Sequence, residues 1–254
     1  MTAQQKYSRL VDYLYQYDDV SVAFSGGTDS TLLLFAAAEA HGNKVLALTA
    51  NTAFFTQEEL FCVHDILNEL KINDARIPIY VMENETIVKN PKNRCYYCKK
   101  MVFERLKEVA KNMGYENLMD GTNMDDLSDF RPGIIAAKEL GIISPFVELR
   151  YSKNDICEML KAIGRAYLIK PPNACLATRI AEDEPITVKK LDQIEQAEKV
   201  VRWYTKGIVR ARMCKNNICI QTEKLCNHDK QEISEKLLKI GLTNITFGNY
   251  EKSG

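Results

Sequence analysis

This chain has no excess of charge of either sign. Lys plus Arg number 34 and Asp plus Glu number 34, so the formal net charge over 254 residues is zero. That balance argues against a nucleic-acid protein working through a broadly basic surface, while leaving room for a local basic groove. Long apolar runs are missing too, since none approaches the roughly 20 residues that span a bilayer. The first stretch, Met1–Leu10, is polar and has no apolar signal-peptide core. The expectation is a cytoplasmic protein with no membrane partner. The histidines are few and scattered (His41, His64 and His228), and none has an obvious partner for acid–base work. No internal repeat or low-complexity tract is present. Two familiar phosphate signatures are also absent. Without Gly-x-x-x-x-Gly-Lys-Ser/Thr there is no Walker A loop, and without Gly-x-Gly-x-x-Gly there is no dinucleotide fingerprint.

A chain of this length can bury a sizeable core, as one large domain or two smaller ones. Eight cysteines in a reducing compartment do not imply a disulfide framework. Thiolate chemistry, metal ligation and plain burial are what is left for them.

Short apolar runs alternate with helical stretches over the first two-thirds. Strands are expected at Val20–Phe24, Val45–Ala50, Ile77–Met82, Leu118–Gly121 and Ile142–Phe146. Helices are expected at Thr31–Ala40, Gln57–Leu70, Tyr97–Met113, Ile134–Glu139 and Lys153–Ile163, the last with Ser152 as N-cap. Repeated βα units imply a parallel sheet covered by helices on both faces, an α/β fold. Composition shifts near Lys170–Pro172, and Asn173–Ile180 reads as a loop. The pattern then restarts with an amphipathic helix, Thr187–Trp203. Strands at Ile208–Met213, Ile218–Thr222 and Asn244–Phe247 and a helix near Glu232–Ile240 make a small α+β unit. The boundary is placed near residue 180, giving domains 1–180 and 181–254.

The segment Val20–Ser30 carries the most chemistry. An apolar run ends in Gly26-Gly27 among Ser25, Thr28, Asp29 and Ser30, and a helix-forming run follows at once. Strand, glycine turn and helix together aim backbone N–H groups and a positive helix end at a phosphate. Asp29 suits Mg²⁺ or an amine. Ser-Gly-Gly-x-Asp-Ser resembles the pyrophosphate loop of the N-type ATP pyrophosphatases, which implies ATP and Mg²⁺. A second candidate is Asp120-Gly121-Thr122-Asn123 with Asp125, Asp126 and Asp129, followed by Arg131. Carboxylates beside a triphosphate hold Mg²⁺, and a guanidinium fork clamps a phosphate. The alternative is an acidic, solvated turn that caps the helix near Ile134.

Thiols form the third constellation. Cys95 and Cys98 stand as Cys-x-x-Cys at the mouth of a helix, flanked by Arg94, Lys99 and Lys100, a setting for redox exchange or metal ligation. A closed zinc site needs four ligands, and the nearest further partner is the single Cys175. Three thiolates suit an iron–sulfur cluster with one open iron. Cys175 follows Pro171-Pro172 and has Arg179 four residues on, which favours a reactive thiolate over a buried hydrophobe. Cys62 and Cys157 fall on apolar helix faces and are expected in the core. Arg210 and Arg212 alternate on a strand, so both face one way and suit a phosphate or carboxylate, with Glu198 on the preceding helix. A solvated face with an ion pair is the competing reading.

These segments together resemble the LarE family, ATP-dependent sulfur transferases of nickel-pincer cofactor biosynthesis and lactate racemase maturation. The resemblance rests on Ser25 to Ser30, on Asn90-Pro91 through Cys95-Tyr96-Tyr97-Cys98, on Asp120 to Asp126 and on Asp129 to Gly133. It continues through Ala174-Cys175-Leu176-Ala177-Thr178-Arg179 and Val209-Arg210-Ala211-Arg212. It implies an adenine-nucleotide α-hydrolase sheet with a small C-terminal substrate-binding domain. It implies adenylation of a carboxylate of pyridinium-3,5-dicarboxylic acid mononucleotide, release of pyrophosphate, and displacement of AMP by sulfur. In the one-cysteine branch the residue matching Cys175 gives up its own sulfur. The Cys95/Cys98 pair matches the three-cysteine branch, where a 4Fe-4S cluster on Cys95, Cys98 and Cys175 carries sulfide. The resemblance further implies Cys175, Asp29 and Arg179 as catalytic residues. The nucleotide residues it implies are Ser25 to Ser30, Gly121, Asn123, Asp125 and Arg131, and those for the substrate phosphate are Arg210, Arg212 and Glu198. Sulfide or a cysteine desulfurase would be the sulfur donor, and a ring-like homo-oligomer, a hexamer, the assembly. One departure is Gln221, where the family tends to carry Glu.

Three rivals are a tRNA-thiolating enzyme, an amide-forming synthetase using ammonia and a non-catalytic binding module. Zero net charge and the lack of an added RNA-binding domain oppose the first. The second needs no trio of cysteines. Failure to release pyrophosphate would favour the third.

Overall fold

The computed structural model describes residues 1–128, 132–215 and 217–250. The first elements are α1 (Ala3–Leu14), β1 (Val20–Ala23), α2 (Thr28–His41), β2 (Val45–Asn51), α3 (Gln57–Leu70), β3 (Asn73–Pro78), α4 (Glu85–Val88) and α5 (Arg94–Asn112). Then come β4 (Leu118–Met119), α6 (Met124–Ser128), α7 (Pro132–Glu139), α8 (Pro145–Glu148) and α9 (Lys153–Ala162). The last are α10 (Val188–Arg202), β5 (Arg210–Cys214), β6 (Asn217–Thr222), α11 (Asn227–Lys239) and β7 (Asn244–Asn249). Among the described residues no helix is long and apolar enough to cross a membrane.

Two compact units result, and neither is a continuous stretch. The first comprises Met1–Thr52, Gln57–Ile79 and Asn93–Pro172. The second begins at Asn173 and also takes in Ala53–Thr56 and Tyr80–Lys92. The sequence placed a single cut near residue 180. Backbone bonds explain the excursions: Leu176 N donates to Phe54 O at 3.0 Å, Ile186 N to Val88 O at 2.8 Å and Asp183 N to Asn90 O at 2.9 Å. The Asn90 side chain adds a bond to Ala181 O at 2.8 Å.

The first unit holds a four-stranded parallel sheet in the order β3-β2-β1-β4, flanked by helices. Strands β1 and β2 are buried nearly throughout, without inside–outside alternation, as expected of parallel strands covered on both faces. Helix α2 is buried without a break from Ser30 to Ala37. Leu32, Leu33 and Leu34 are all fully buried, each side chain stabilising the fold by about 1.5–3 kcal/mol, and the α2 N-terminus is thereby held rigidly at the end of β1.

Three sequence expectations shift here. Strand β3 spans Asn73–Pro78 rather than Ile77–Met82, and Val81–Glu83 is a 3-10 turn. The β2 ladder pairs Leu46 with Asn73 and ends at Asn51 with Pro78, so Ile79 and Val81 are buried without being strand. Ile142–Phe146 is no strand: it makes one bridge, Ile143 to Met119, before Pro145 opens α8. Helix α1 was not anticipated. It buries Tyr7, Leu10, Val11 and Leu14 and starts with a capping box between Thr2 and Gln5.

In the second unit β5 and β6 are antiparallel and β6 and β7 parallel, in the order β5-β6-β7. Helix α10 buries Leu191, Ile194, Ala197, Glu198 and Val201, and α11 buries Ile233 and Leu237.

Candidate active site

The nucleotide loop follows β1. Gly26 has φ +71°, and a Cβ there would lie 2.9 Å from Val63 Cγ2, so the position needs glycine for both backbone angle and space. Gly27 is the N-cap of α2 in extended geometry, with no side chain capping the helix. Ser30 Oγ lies 3.1 Å from Ser25 Oγ, receives Ser25 N at 3.4 Å and donates to Gly27 O at 3.2 Å. The hydroxyls thus brace the loop while the positive end of α2 faces it.

The Asp120–Asn123 segment packs directly on that helix end. A Cβ on Gly121 would come within 2.8 Å of Ser30 N. Asp120 is buried and fully engaged: its carboxylate accepts from Thr122 N at 3.1 Å, Thr122 Oγ1 at 2.6 Å and Ser144 Oγ at 2.7 Å. Asn123 Oδ1 accepts from Asp125 N at 2.9 Å, and Asp126 Oδ2 accepts from Asn123 N at 3.0 Å. These side chains shape the start of α6, a different helix from the one near Ile134 that the sequence alternative named. Asp125 Oδ2 also accepts from Lys153 N at 2.9 Å. Asp129 and Arg131 lie outside the described residues.

Among the described residues, two lysines that sequence reading missed lie on this loop. Lys153, the first residue of α9, places Nζ 2.6 Å from Asp29 Oδ1. Lys170 donates from Nζ to Gly26 O at 2.9 Å and from its backbone N to Thr28 Oγ1 at 3.0 Å. The loop therefore carries two cations contributed from 124 and 144 residues away. The Ser152 N-cap of α9 was the one nearby signal.

Helix α5 opens with Arg94. Cys95 and Cys98, three residues apart on its first turn, share one face. No acidic residue sits in that turn of the helix. Cys95 Sγ accepts from Arg94 Nη2 at 3.3 Å, and Arg94 is buried. The eight cysteines form no disulfide, and Cys62 and Cys157 are half-buried rather than in the core as expected. Among the described residues, no three His, Cys, Asp or Glu side chains gather as a metal site. Cys95 and Cys98 thus fit two positions of a cysteine-ligated cluster, and Cys175 belongs to the second unit.

In that second unit, half-buried Cys175 precedes a 3-10 turn, Leu176–Arg179. Arg179 is buried, and Nε donates to Glu198 Oε1 at 3.0 Å. Glu198 has no exposed surface at all; it also accepts from Arg202 Nη2 at 3.1 Å and Ala211 N at 3.1 Å. The sequence expectation aimed Glu198 at a substrate phosphate, but its oxygens face these donors. Arg212 donates from Nε to Gln221 Oε1 at 2.7 Å and from Nη1 to Thr178 O at 3.3 Å. Arg210 is buried with its guanidinium 6.0 Å from the Tyr250 ring. Burial, and then the neighbouring Arg179 charge, lower its pKa from the usual arginine value. Arg179 and Arg202 thus pair with Glu198, and Arg210 lies within reach of its charge.

Residues 16–203 match the family model described as ThiI, thiamine biosynthesis protein. The chain is 35% identical to the uncharacterized protein slr1717 of Synechocystis sp. over 84% of its own length and 80% of that protein's. It is 35% identical to the uncharacterized protein MJ0830 of Methanocaldococcus jannaschii, over 89% and 87%. It is 32% identical to the pyridinium-3,5-bisthiocarboxylic acid mononucleotide synthase of Lactiplantibacillus plantarum, over 83% and 77%. With the pyrophosphate loop at the end of β1 in a parallel sheet, the chain belongs to the LarE family of ATP-dependent sulfur transferases within the ThiI-like proteins.

Proposed function

We propose that this enzyme adenylates a carboxylate of pyridinium-3,5-dicarboxylic acid mononucleotide and converts it to a thiocarboxylate. The observation that carries the reading is the glycine-dependent loop at Ser25–Ser30, with Lys153 and Lys170 on it, in a chain similar over most of its length to the plantarum synthase.

In the first step a substrate carboxylate oxygen attacks the α-phosphorus of ATP. The bond between the α and β phosphates breaks and pyrophosphate leaves. Backbone N–H groups at Gly26–Ser30, the Ser25 and Ser30 hydroxyls and the two lysines would hold the departing charge. Bound Mg²⁺ would neutralise part of the triphosphate charge, with Asp29 as its carboxylate. Asp125 belongs to the same edge, with Gly121 and Asn123 shaping it.

In the second step a sulfur nucleophile attacks the acyl carbon and AMP leaves. Hydrosulfide gives the thiocarboxylate directly, with one proton released. The Cys175 thiolate gives a thioester; loss of its Cα proton then breaks the Cβ–S bond, leaving thiocarboxylate and dehydroalanine. A 4Fe-4S cluster with Cys95, Cys98 and Cys175 as ligands would supply a bound sulfide for the first route. Arg210 and Arg212 would take the substrate phosphate, and Glu198 enters this reading through the arginines it holds. Sulfide or a cysteine desulfurase as donor, and a homo-oligomer that resemblance makes a hexamer, belong to the same proposal.

Mass spectrometry after one turnover under anaerobic conditions tests it. Thiocarboxylate with intact Cys175 supports the hydrosulfide route, and loss of one H₂S at Cys175 supports the sacrificial one. Amide product with added ammonia, or thiolated tRNA, would refute the substrate assignment.

A further inference from the structure

We infer that Arg179 is a positioning residue that clamps the backbone on both sides of the Cys175 side chain, and that Glu198 is the buried anchor of that clamp. All three of its guanidinium nitrogens donate to protein acceptors. Nη1 reaches Ala174 O at 2.5 Å, Cys175 O at 3.2 Å and Thr178 Oγ1 at 3.1 Å, while Nη2 reaches Asn173 Oδ1 at 3.1 Å. Nε goes to Glu198. A guanidinium fork is rigid and planar, so these bonds fix its plane against four consecutive and near-consecutive acceptors. Thr178 Oγ1 adds a second hold, donating to Cys175 O at 2.7 Å.

Glu198 fixes the other side of the fork. It is completely buried on α10 and tied to the β5 backbone through Ala211 N, so Arg179 is held to helix and strand at once. Both carboxylate oxygens accept from protein donors. That geometry suits an anchor rather than a ligand for an incoming phosphate. The clamp sets the backbone from which Cys175 Sγ projects, and orientation of a nucleophile is a large part of its reactivity. The inference rests on Cys175 handling the sulfur in the proposed function.

Two readouts test it. The first is iodoacetamide alkylation of Cys175, followed by peptide mass spectrometry without any nucleotide. The second is thiocarboxylate formed per pyrophosphate released. Thr178→Val, at a half-buried position that keeps the fold, should speed alkylation at least threefold and lower that ratio about fivefold. Glu198→Gln should lower the ratio at least tenfold; should it fail to fold, Thr178→Val alone decides. Unchanged alkylation in folded variants overturns the clamp. So does a raised KM for the mononucleotide at constant ratio, which would mark a phosphate ligand. Faster alkylation in a protein whose parent forms no thiocarboxylate would leave the clamp standing and refute the proposed function instead.

Discussion

Lys153 Nζ and Asp29 Oδ1 stand 2.6 Å apart, an ion pair between the first turn of α9 and the first turn of α2. The two side chains are 34% and 26% exposed, so their pairing contributes only about 0–1 kcal/mol to stability. Its value to the protein is placement of both charges on the pyrophosphate loop. Asp29→Ala should therefore cut pyrophosphate release at least a hundredfold while the melting temperature stays within about 3 °C. Lys153→Ala should raise the KM for ATP about tenfold. A large melting shift with normal turnover would reverse the assignment.

Gly26 and Gly121 are required for different reasons. At Gly26 the backbone is left-handed and the obstacle is Val63 Cγ2; at Gly121 it is the backbone nitrogen of Ser30. Gly26→Ala should be partly rescued by Val63→Ala, which removes the clash and leaves the strain of about 1 kcal/mol. Gly121→Ala has no such side-chain remedy and should lower both stability and pyrophosphate release. Thermal melts of the single and double variants give the answer, with each kcal/mol worth about 2–4 °C at this size.

Much of this frame could be read from residue order. The apolar runs at β1 and β2, the 3.6-residue pattern of α3 and the glycine loop are local signals, and α3 spans Gln57–Leu70 as expected. Strand β3 was misplaced because its partner β2, not its own hydrophobicity, selects Asn73–Pro78. The α1 pattern of Tyr7, Leu10, Val11 and Leu14 was present but obscured by a polar surface. Lys170 had no local signal and Lys153 only the neighbouring Ser152 N-cap, because only the folded sheet brings both to a loop more than a hundred residues upstream. Glu198 was expected at the substrate phosphate; it falls on the buried face of α10 with Leu191, Ile194 and Val201, and its partners Arg179 and Ala211 come from separate elements that a local pattern does not reveal.

Gln221 holds Arg212 through a neutral amide. A carboxylate there would offset the arginine's charge. Gln221→Glu should raise the KM for the phosphate-bearing substrate about tenfold, roughly 1.4 kcal/mol, with little effect on the KM for ATP. Steady-state pyrophosphate assays against each substrate separate the two, and an equal effect on both would place Arg212 elsewhere in the reaction.

The thiols at the start of α5 make a separable prediction. Anaerobically purified, iron-replete protein should be brown, and Cys95→Ala or Cys98→Ala should remove the colour and the acid-labile sulfide. Pyrophosphate release should persist in both variants. A colourless parent protein with full iron supply would leave the pair without a cluster.

The most direct test is the product balance with ATP, sulfide and pyridinium-3,5-dicarboxylic acid mononucleotide. One pyrophosphate and one AMP should appear for each thiocarboxylate formed, and omission of the mononucleotide should stop all three. Release of ADP and phosphate instead, or pyrophosphate release with no thiocarboxylate from any sulfur source, would contradict the account.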